Sequence, residues 1–570
     1  MDRLLSAIER VTRAAITFAE VSGPRRSVLI LLLALVALVP GLASLPPTDR
    51  DEARFVQATK QMMETGDYID IRLQEEPRWK KPVGIYWMQA AAAWLYGGPE
   101  AEIRAYRIPS AIGALAAALL AGWAFFPLLG PRGATLAGVM TATATIVVAE
   151  GHIAKTDAML LATTVAAQGA LLRLWLTPRR AFSWMHMLFW AALGLGILIK
   201  GPVILIFVGG TLLWLSIWER RASLLGDIRP FPGLLIMLAI ALPWYVLIYL
   251  ETQGAFFEEA LLRDFLGKIT EGQELHWGPP GYYLATIWGT AWPWAPMLLL
   301  AAPFAWRTRN QIEGRFLLAW IVPAWIAFAL TATKLPHYIL PLVPALMGLI
   351  AAWLVEAPAG LAGKGRRALA AGVFGVVGGA LALAAIAGLP VIEGKVSFAA
   401  VTLGGIALVL VAAGARALYA SRRIAFFGAA VAAALALYPA LFGFVLPRLD
   451  TGFPSPRIAA AHAGFANCTD RPLVSVGYRE PSLVFAAGTE TRLPTVEEAA
   501  RMLREEDGWL VYFTEHRGVT LSDFTIAVGT PVTEYAEVTG FNINRGDPFT
   551  AVLLGRQGDP ALTDCPVTER

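Results

Sequence analysis

Charged residues are scarce in this chain of 570 residues. Asp, Glu, Lys and Arg make up 16% of it, whereas hydrophobic residues make up 56%. Because a soluble globular protein carries about 25% charged residues, this composition excludes an ordinary soluble enzyme and predicts a polytopic membrane protein. The net charge of +4 is small and no long basic run is present, so we expect no nucleic-acid partner.

Several familiar catalytic signatures are also missing. The sequence contains no Walker motif, no Rossmann glycine fingerprint after a strand and no Gly-x-Ser-x-Gly elbow. It therefore gives no support for a P-loop nucleotide hydrolase, a dinucleotide-dependent enzyme or an α/β-hydrolase. Cysteine is rare too, with only Cys468 and Cys565. They could form a disulfide on an oxidising side of a membrane, or remain two separate thiols.

Long apolar runs, by contrast, fill most of the chain. A helical crossing needs about 20 apolar residues, and we predict thirteen crossings. They cover 28–45, 104–128, 131–149, 157–176, 182–199, 201–218, 231–250, 281–303, 314–331, 336–356, 367–390, 396–418 and 424–446. The run 82–98 is short and rich in Tyr and Trp, which favours a helix at the membrane interface. Residues 1–20 are amphipathic and predict a retained surface helix.

Basic residues orient this topology, because short cytoplasmic loops collect Lys and Arg. With thirteen crossings and the N-terminus inside, nearly all short-loop basic residues fall on the inside. They are Arg132, Arg179, Arg180, Arg220, Arg221, Arg229, Arg307, Arg309, Arg315, Lys364, Arg366, Arg367, Arg416, Arg422 and Arg423. The long loop 46–103 and the C-terminal part are then outside.

We expect two domains, a membrane domain over 1–446 that includes the outer loop 46–103, and a small soluble α/β domain over 447–570. In the second, runs at 473–476, 483–486, 509–513, 532–538 and 550–554 predict strands. Residues 495–505 predict a helix.

Ionisable residues collect in the outer loops, whereas the crossings are almost free of charge. The outer segments are 48–55 (TDRDEARF), 80–82, 150–157 with Asp157, the helix end at Lys200, 252–280 with His276, and 334–338 with Tyr338. Charge gathered at one membrane face from separated segments predicts an active site there. A transporter, which we consider less favoured, should place such groups at mid-membrane.

The segment 48–55 has three interpretations. Asp51 and Arg54 share a helix face, which suits a carboxylate beside a phosphate-binding guanidinium. Asp49 and Glu52 could instead be ordinary residues of a helix start. Asp49-x-Asp51 also imitates the metal motif of nucleotide-sugar transferases, but no nucleotide-binding fold accompanies it.

The remaining candidates are basic residues and histidines. Residues 78–82 (RWKKP) could be a snorkelling anchor or a cationic cradle for a lipid phosphate. Lys200 interrupts an apolar run and needs an anionic partner. His276 and His337 could be interfacial histidines, or could hold a divalent metal with Asp51 or Glu52, although their spacing matches no compact metal motif.

With these residues in place, the chain resembles the lipid A aminoarabinose transferases, within the protein-mannosyltransferase-like group of polyprenyl-phosphate-dependent glycosyltransferases. The resemblance covers essentially the whole chain. It is carried by Asp51-Glu52-x-Arg54, Lys81-Pro82, Arg107-Ile108-Pro109-Ser110, Asp157, Lys200-Gly201-Pro202, His276, Lys334-Leu335-Pro336-His337-Tyr338 and Tyr478-Arg479-Glu480-Pro481-Ser482.

The resemblance implies a GT-C fold and inverting transfer of a sugar from a polyprenyl phosphate, such as undecaprenyl phosphate, to lipid A or lipopolysaccharide core. It makes Asp51 the catalytic residue and Arg54, Lys81 and Lys200 the donor-phosphate ligands. It places Glu52, Asp157, Tyr338 and Glu480 along the substrate cavity. It further implies a monomer in the bacterial inner membrane, with the active site and the C-terminal domain facing the periplasm.

Two alternatives stay open beside that expectation. A protein O-mannosyltransferase would use the same donor class on secreted polypeptides. The transferred sugar could be aminoarabinose, galactosamine, galacturonic acid or a neutral hexose.

The chain departs from the family pattern at two positions. Lys80 stands where relatives often carry a metal-binding Glu, which weakens the case for a metal at His276, and no other cofactor is expected. Phe55 replaces a frequent Tyr and so lacks one hydroxyl.

Overall fold

The computed structural model describes residues 1–49, 51–178, 181–260, 263, 267, 277–356, 363–542 and 546–566. Arg50, Arg179, Arg180 and His276 lie outside these ranges. The membrane part contains the helices α1 (Asp2–Glu20), α2 (Gly23–Leu38), α3 (Asp51–Thr65), α4 (Gly84–Trp94), α5 (Ile103–Ala124), α6 (Phe126–Ala142), α7 (Thr145–Gly151), α8 (Asp157–Leu176), α9 (Trp184–Lys200), α10 (Val203–Trp218), α11 (Leu224–Asp227), α12 (Pro230–Thr252), α13 (Ala255–Phe257), α14 (Tyr282–Thr290), α15 (Leu298–Arg307), α16 (Ile312–Leu330), α17 (Val343–Glu356), α18 (Lys364–Glu393), α19 (Phe398–Tyr419) and α20 (Arg423–Tyr438).

Most predicted crossings are apolar helices in the structure. Within the described ranges, eight helices are long and apolar enough to span a membrane, and the bent pair α6–α7, with an angle of 56°, could form a ninth span. Helices α9 and α10 are apolar but shorter. The predicted crossings 28–45 and 281–303 correspond to the 16-residue α2 and to the broken run of α14 and α15. The prediction of a polytopic helical membrane protein is confirmed.

Helix α4 occupies the short aromatic run of the loop 46–103. It has 11 residues, which give a length of about 16 Å at 1.5 Å per residue, too little to cross a hydrocarbon core of about 30 Å. Its far end is exposed, with Trp94 at 74% and Leu95 at 73%. Its near end packs tightly, because a Cβ on Gly84 would lie 2.6 Å from the Leu198 carbonyl oxygen of α9. This geometry agrees with a helix at the interface.

The C-terminal part forms a separate mixed sheet with helices around it. The sheet has the order β3–β4–β6–β5, in which β3 and β4 are parallel and the other pairs are antiparallel. Its strands and helices are β3 (Val474–Val476), β4 (Val511–Thr514), β5 (Val532–Asn542), β6 (Asp547–Arg556), α21 (Pro454–Ala463), α22 (Pro481–Ala487), α23 (Val496–Glu505) and α24 (Leu521–Val528), while β1 (Arg72–Leu73) and β2 (Glu76–Pro77) form a hairpin in the first outer loop. Cys468 and Cys565 are joined by a disulfide, with their Cα atoms 5.3 Å apart.

One predicted strand of this domain is wrong. Residues 483–486 belong to the helix α22, in which Pro481 occupies the first turn after the extended residue Glu480. Proline is favoured at that position because its nitrogen needs no helical partner. A four-residue apolar run has no clear period, so it does not distinguish a strand from a short helix.

The C-terminal domain packs against the loop 46–103, which includes α3. The side-chain amide of Gln57 on α3 donates to the Thr489 hydroxyl at 2.8 Å, and that of Gln74 donates to the Thr491 carbonyl at 2.6 Å. The rings of Tyr106 and Phe485 meet edge to face with centroids 5.5 Å apart. The domain therefore contacts the helix that begins with Asp51.

Candidate active site

The first turn of α3 is fixed by a buried ion pair. The Glu52 carboxylate accepts hydrogen bonds from Arg107 Nε at 2.8 Å and Nη2 at 2.9 Å, and both side chains are fully buried. The same carboxylate accepts from the backbone nitrogens of Thr48 and Ala154, each at 2.8 Å. Burial acts to raise the pKa of Glu52, but Arg107 and these donors outweigh it and lower the pKa. Glu52 thus joins three segments and does not line the cavity.

A cavity of about 330 Å³ lies beside this framework. Its walls are mostly apolar, with Leu160, Val203, Ile206, Phe207, Ala327, Phe328 and Leu330 among the lining residues. Its polar lining comes from Lys81, Lys200, Thr331, Thr333, His337 and Tyr338. Two ammonium groups at a mostly apolar cavity suit an amphiphile with an anionic head group. The structure thereby brings together three predicted residues, Lys81, Lys200 and Tyr338.

The break between α9 and α10 positions Lys200. Gly201 follows it with φ +72° and ψ −158°, a backbone region that is essentially restricted to glycine. Pro202 then precedes α10. The helix consequently ends at Lys200, whose Nζ lies 2.5 Å from Asp157 Oδ1 at the start of α8. Asp157 is therefore the anionic partner that the position of Lys200 required.

A network of buried charges continues from Asp157. Lys155 Nζ lies 3.0 Å from Glu150 Oε2, 3.8 Å from Asp157 Oδ2 and 3.5 Å from His337 Nδ1. Burial acts to lower the pKa of Lys155, but Glu150, Asp157 and Asp51 outweigh it and raise the pKa. The ammonium of Lys155 thus stays charged at the centre of the network.

Asp51 is the first residue of α3 and is exposed. Desolvation by the surrounding protein acts to raise the pKa of Asp51, but the charge of Lys155, followed by His337 and Arg78, outweighs it and lowers the pKa. The carboxylate is therefore ionised at neutral pH. Neither Asp51 nor the half-buried Arg54 is among the residues that line the cavity.

Two further predictions concern Glu480 and His276. Glu480 accepts a hydrogen bond from Asn542 at 3.3 Å within the soluble domain. His276 lies outside the described residues, and the part of the chain that the structure describes contains no group of three His, Cys, Asp or Glu side chains that could hold a metal. The metal therefore stays a prediction.

Sequence reasoning left several residues of this site without a role. Lys155 and Glu150 were visible only as charges in the loop before α8, and His337 only as a candidate metal ligand. Arg107 was recognisable only as part of the family motif Arg107-Ile108-Pro109-Ser110, without a role of its own. A lone charge beside an apolar run needs a partner, and this rule was the available signal for Glu52 and Arg107.

Comparison with known proteins identifies the family. The pattern of the PMT family, Dolichyl-phosphate-mannose-protein mannosyltransferase, matches residues 29–255. An undecaprenyl phosphate-alpha-4-amino-4-deoxy-L-arabinose arabinosyl transferase from Edwardsiella ictaluri is 31% identical over 455 residues, which are 76% of this chain and 79% of that protein. This chain belongs to that arabinosyl transferase family. A relative of the same description from Erwinia tasmaniensis is 28% identical over 338 residues, and the match spans 59% of its length.

A solved structure of a family member shares the fold. The crystal structure of ArnT from Cupriavidus metallidurans bound to undecaprenyl phosphate superposes with a TM-score of 0.72 at 18% identity, covering 95% of this chain and 99% of that one. The predicted helical membrane fold with a small soluble C-terminal domain is thereby confirmed.

Proposed function

We propose that this protein is an integral-membrane glycosyltransferase that moves a sugar from undecaprenyl phosphate to lipid A or lipopolysaccharide core. One observation carries the proposal, the apolar cavity whose polar lining includes Lys81 and Lys200. A polyprenyl chain matches the apolar walls and its phosphate matches the two ammonium groups. The names of the family relatives supply the same donor class.

Lys81 and Lys200 would stabilise the leaving group. When the bond between the anomeric carbon and the phosphate oxygen breaks, its electron pair stays on the lipid phosphate, whose negative charge increases. Cations already in place stabilise that charge without reorganising. Arg54, half-buried on α3, would be a third cation for the same group. Asp157 holds Lys200 at 2.5 Å until the phosphate enters.

Asp51 would act on the acceptor. Its lowered pKa keeps it ionised, so it can accept the proton of an attacking hydroxyl. If the acceptor is a phosphate, that oxygen is already charged, and Asp51 orients neighbouring groups instead. The acceptor oxygen attacks the anomeric carbon on the face opposite the departing phosphate, which inverts the configuration.

A protein O-mannosyltransferase activity is the second candidate. Its support is the PMT family match over residues 29–255. The donor half of the mechanism would be the same, and only the acceptor, a secreted polypeptide, would differ.

We further propose that α3 and the soluble domain face the periplasm of a bacterial inner membrane. The disulfide between Cys468 and Cys565 supports this placement, because disulfides persist in oxidising compartments. A cysteine introduced at Arg366, in a background with both native cysteines replaced, should react with a membrane-impermeant label only after the inner membrane is opened. Labelling in cells whose inner membrane is intact would contradict the orientation.

Mass spectrometry of lipid A, core and envelope glycoproteins from a strain lacking this protein tests the activity. A missing sugar on lipid A or core supports the leading proposal, whereas a missing sugar on proteins supports the second candidate. Complementation with Asp51→Asn should leave the sugar absent at normal expression. Glu75→Gln, an exposed acid of the same loop, is the matched control and should restore it.

A further inference from the structure

Arg78 is a buried arginine that the mechanism above does not use. The residue is 8% exposed, and its guanidinium lies over the Phe55 ring with 5.0 Å from Cζ to the centroid. Its Nε is buried without a hydrogen-bond partner among the described residues. A buried donor without an acceptor costs about 1–3 kcal/mol, and more when it is charged. Such a group therefore calls for an explanation.

A second unsatisfied group flanks the same ring. Tyr86 on α4 is fully buried, and its ring centroid lies 5.3 Å from that of Phe55. Its hydroxyl is also buried without a hydrogen-bond partner among the described residues. The cationic Arg78 and the Tyr86 hydroxyl, which interact with each other, thus border one aromatic ring, and Arg78 Nε has no acceptor among the described residues.

Phe55 places these donors next to Asp51. The two residues are four positions apart on α3, and side chains at that spacing are neighbours on one helix face. Arg78 and Tyr86 are absent from the lining of the cavity that contains Lys81 and Lys200. Arg78 and Tyr86 therefore lie near Asp51 and outside the cavity that contains Lys81 and Lys200.

We propose that Arg78, assisted by Tyr86, binds a second oxyanion, the phosphate of a lipid acceptor. This inference rests on the proposed function, since it assigns Asp51 to the acceptor side. A guanidinium presents a planar fork that matches phosphate geometry. The Phe55 ring, with its centroid 5.0 Å from Cζ, holds the guanidinium by a cation–π contact.

The arrangement also selects the acceptor. A phosphate beside the ionised Asp51 would be repelled, and the charge of Arg78 offsets that repulsion. A neutral hydroxyl needs no such cation. Arg78 is thus a specificity-determining residue that favours a phosphorylated acceptor over a neutral sugar or a polypeptide hydroxyl.

Lipid binding to the purified full-length protein in detergent tests the inference. The probes are undecaprenyl phosphate, diphosphoryl lipid A and lipid A from which both phosphates have been removed, each titrated and quantified by native mass spectrometry. Arg78→Met should weaken binding of diphosphoryl lipid A at least tenfold and leave undecaprenyl phosphate within twofold. Binding of the dephosphorylated lipid A should not change. Lys81→Met should weaken binding of undecaprenyl phosphate and leave diphosphoryl lipid A binding unchanged. Arg104 is an exposed arginine at the start of α5, and Arg104→Met should change binding of neither lipid.

Three results would overturn the inference. Equal loss of undecaprenyl phosphate binding in Arg78→Met and Lys81→Met would assign Arg78 to the donor phosphate. Unchanged binding of diphosphoryl lipid A would remove the anion site. A fourth probe is a donor lipid that carries a uronic acid. If Arg78→Met weakens binding of this donor alone, Arg78 binds the carboxylate of the transferred sugar and not the acceptor phosphate.

Two safeguards keep the result interpretable. If Arg78→Met is not monodisperse, Arg78→Lys replaces it in the same binding comparison. This variant keeps the positive charge but lacks the planar guanidinium. Failure of the wild-type protein to bind undecaprenyl phosphate would contradict the proposed function alone, because the comparison of the two lipid A forms is made without a donor.

Discussion

Glu52 and Arg107 form a bidentate ion pair in which neither side chain is exposed. The remaining Arg107 hydrogens are also used, since Nη1 donates to the Leu45 carbonyl at 2.6 Å and Nη2 to the Pro46 carbonyl at 2.9 Å. The pair joins residues 45–46, which follow α2, to the starts of α3 and α5. Since Asp51 precedes Glu52, this pair sets the position of the proposed catalytic carboxylate.

The first prediction concerns the stability of this connection. Arg107→Met should lower the free energy of unfolding by about 3–5 kcal/mol, because it leaves the Glu52 charge buried without its partner. Thermal unfolding in detergent measures the loss. The double variant Glu52→Met with Arg107→Met should recover part of it, since no charge is then left buried. A single variant as stable as the wild type would show that the pair contributes nothing.

The second prediction concerns pH. The pKa of Asp51 is lowered in the folded protein. Ionised Asp51 therefore stabilises the fold above its unfolded-state pKa of about 3.9, and this stabilisation is lost as pH falls through its folded-state pKa. We therefore expect kcat/KM for sugar transfer to show no acid limb from Asp51 above about pH 5. Lys155→Met removes the largest charge that lowers this pKa, and the acid limb should then move to higher pH.

The control for this experiment is Lys395→Met, because Lys395 is exposed, interacts with Asp450 and is not among the charges that shift the pKa of Asp51. It should leave the pH profile unchanged. A Lys155→Met profile that loses amplitude without shifting would mean that Lys155 acts in some way other than through Asp51.

The third prediction concerns Lys200 and Asp157. Hydrogen bonds to charged groups contribute about 1.5–3 kcal/mol, so Lys200→Met should weaken undecaprenyl phosphate binding about 10- to 100-fold. Asp157→Asn should tighten it, because the ammonium no longer shares its charge with a carboxylate 2.5 Å away. Titration of the purified variants measures both effects. Weaker binding in Asp157→Asn would indicate that Asp157 orients Lys200 more than it competes with the phosphate.

The fourth prediction concerns the disulfide. It joins cysteines 97 residues apart, and closing a loop of about 100 residues stabilises a fold by about 4.7 kcal/mol in the chain-entropy model. Cys468→Ser should therefore make the soluble domain more sensitive to limited proteolysis. Reductant should sensitise the wild type in the same way and leave the variant unaffected. Equal proteolysis in all four samples would contradict a stabilising role.

The helical part of the fold was predictable because its signal is local. A run of apolar residues such as 367–390 must find lipid or a packed core, and its length alone indicates a crossing. The run 281–303 is equally apolar, yet it is broken between α14 and α15, where Pro293 and Pro296 lack the backbone N–H that a continuous helix needs. Composition is not sufficient for residues 483–486, where the contact of α22 with the rest of the domain decides between helix and strand.

The candidate site was predictable in its residue types and less so in its connections. Lys81, Lys200 and Tyr338 line one cavity, and Asp157 is bound to Lys200, as the outer-loop grouping indicated. Glu52 was expected on the cavity and is buried against Arg107, since the sequence cannot show which of two adjacent acids points inward. The contact of Arg78 with Phe55 could not be predicted from the sequence either. It joins the residue after the β1–β2 hairpin to the preceding helix, α3.

The contacts between the loop 46–103 and the C-terminal domain have a consequence for biosynthesis. Gln57 and Thr489 are 432 residues apart, and Gln74 and Thr491 are 417 apart. Helix α3, which begins with Asp51, is translated early. Thr489 and Thr491, which bind α3 and its loop, are translated near the end. A ribosome-bound nascent chain can insert nearly all its crossings before this docking becomes possible. The contacts of α3 and its loop with the C-terminal domain therefore form late, after most of the membrane part has been synthesised.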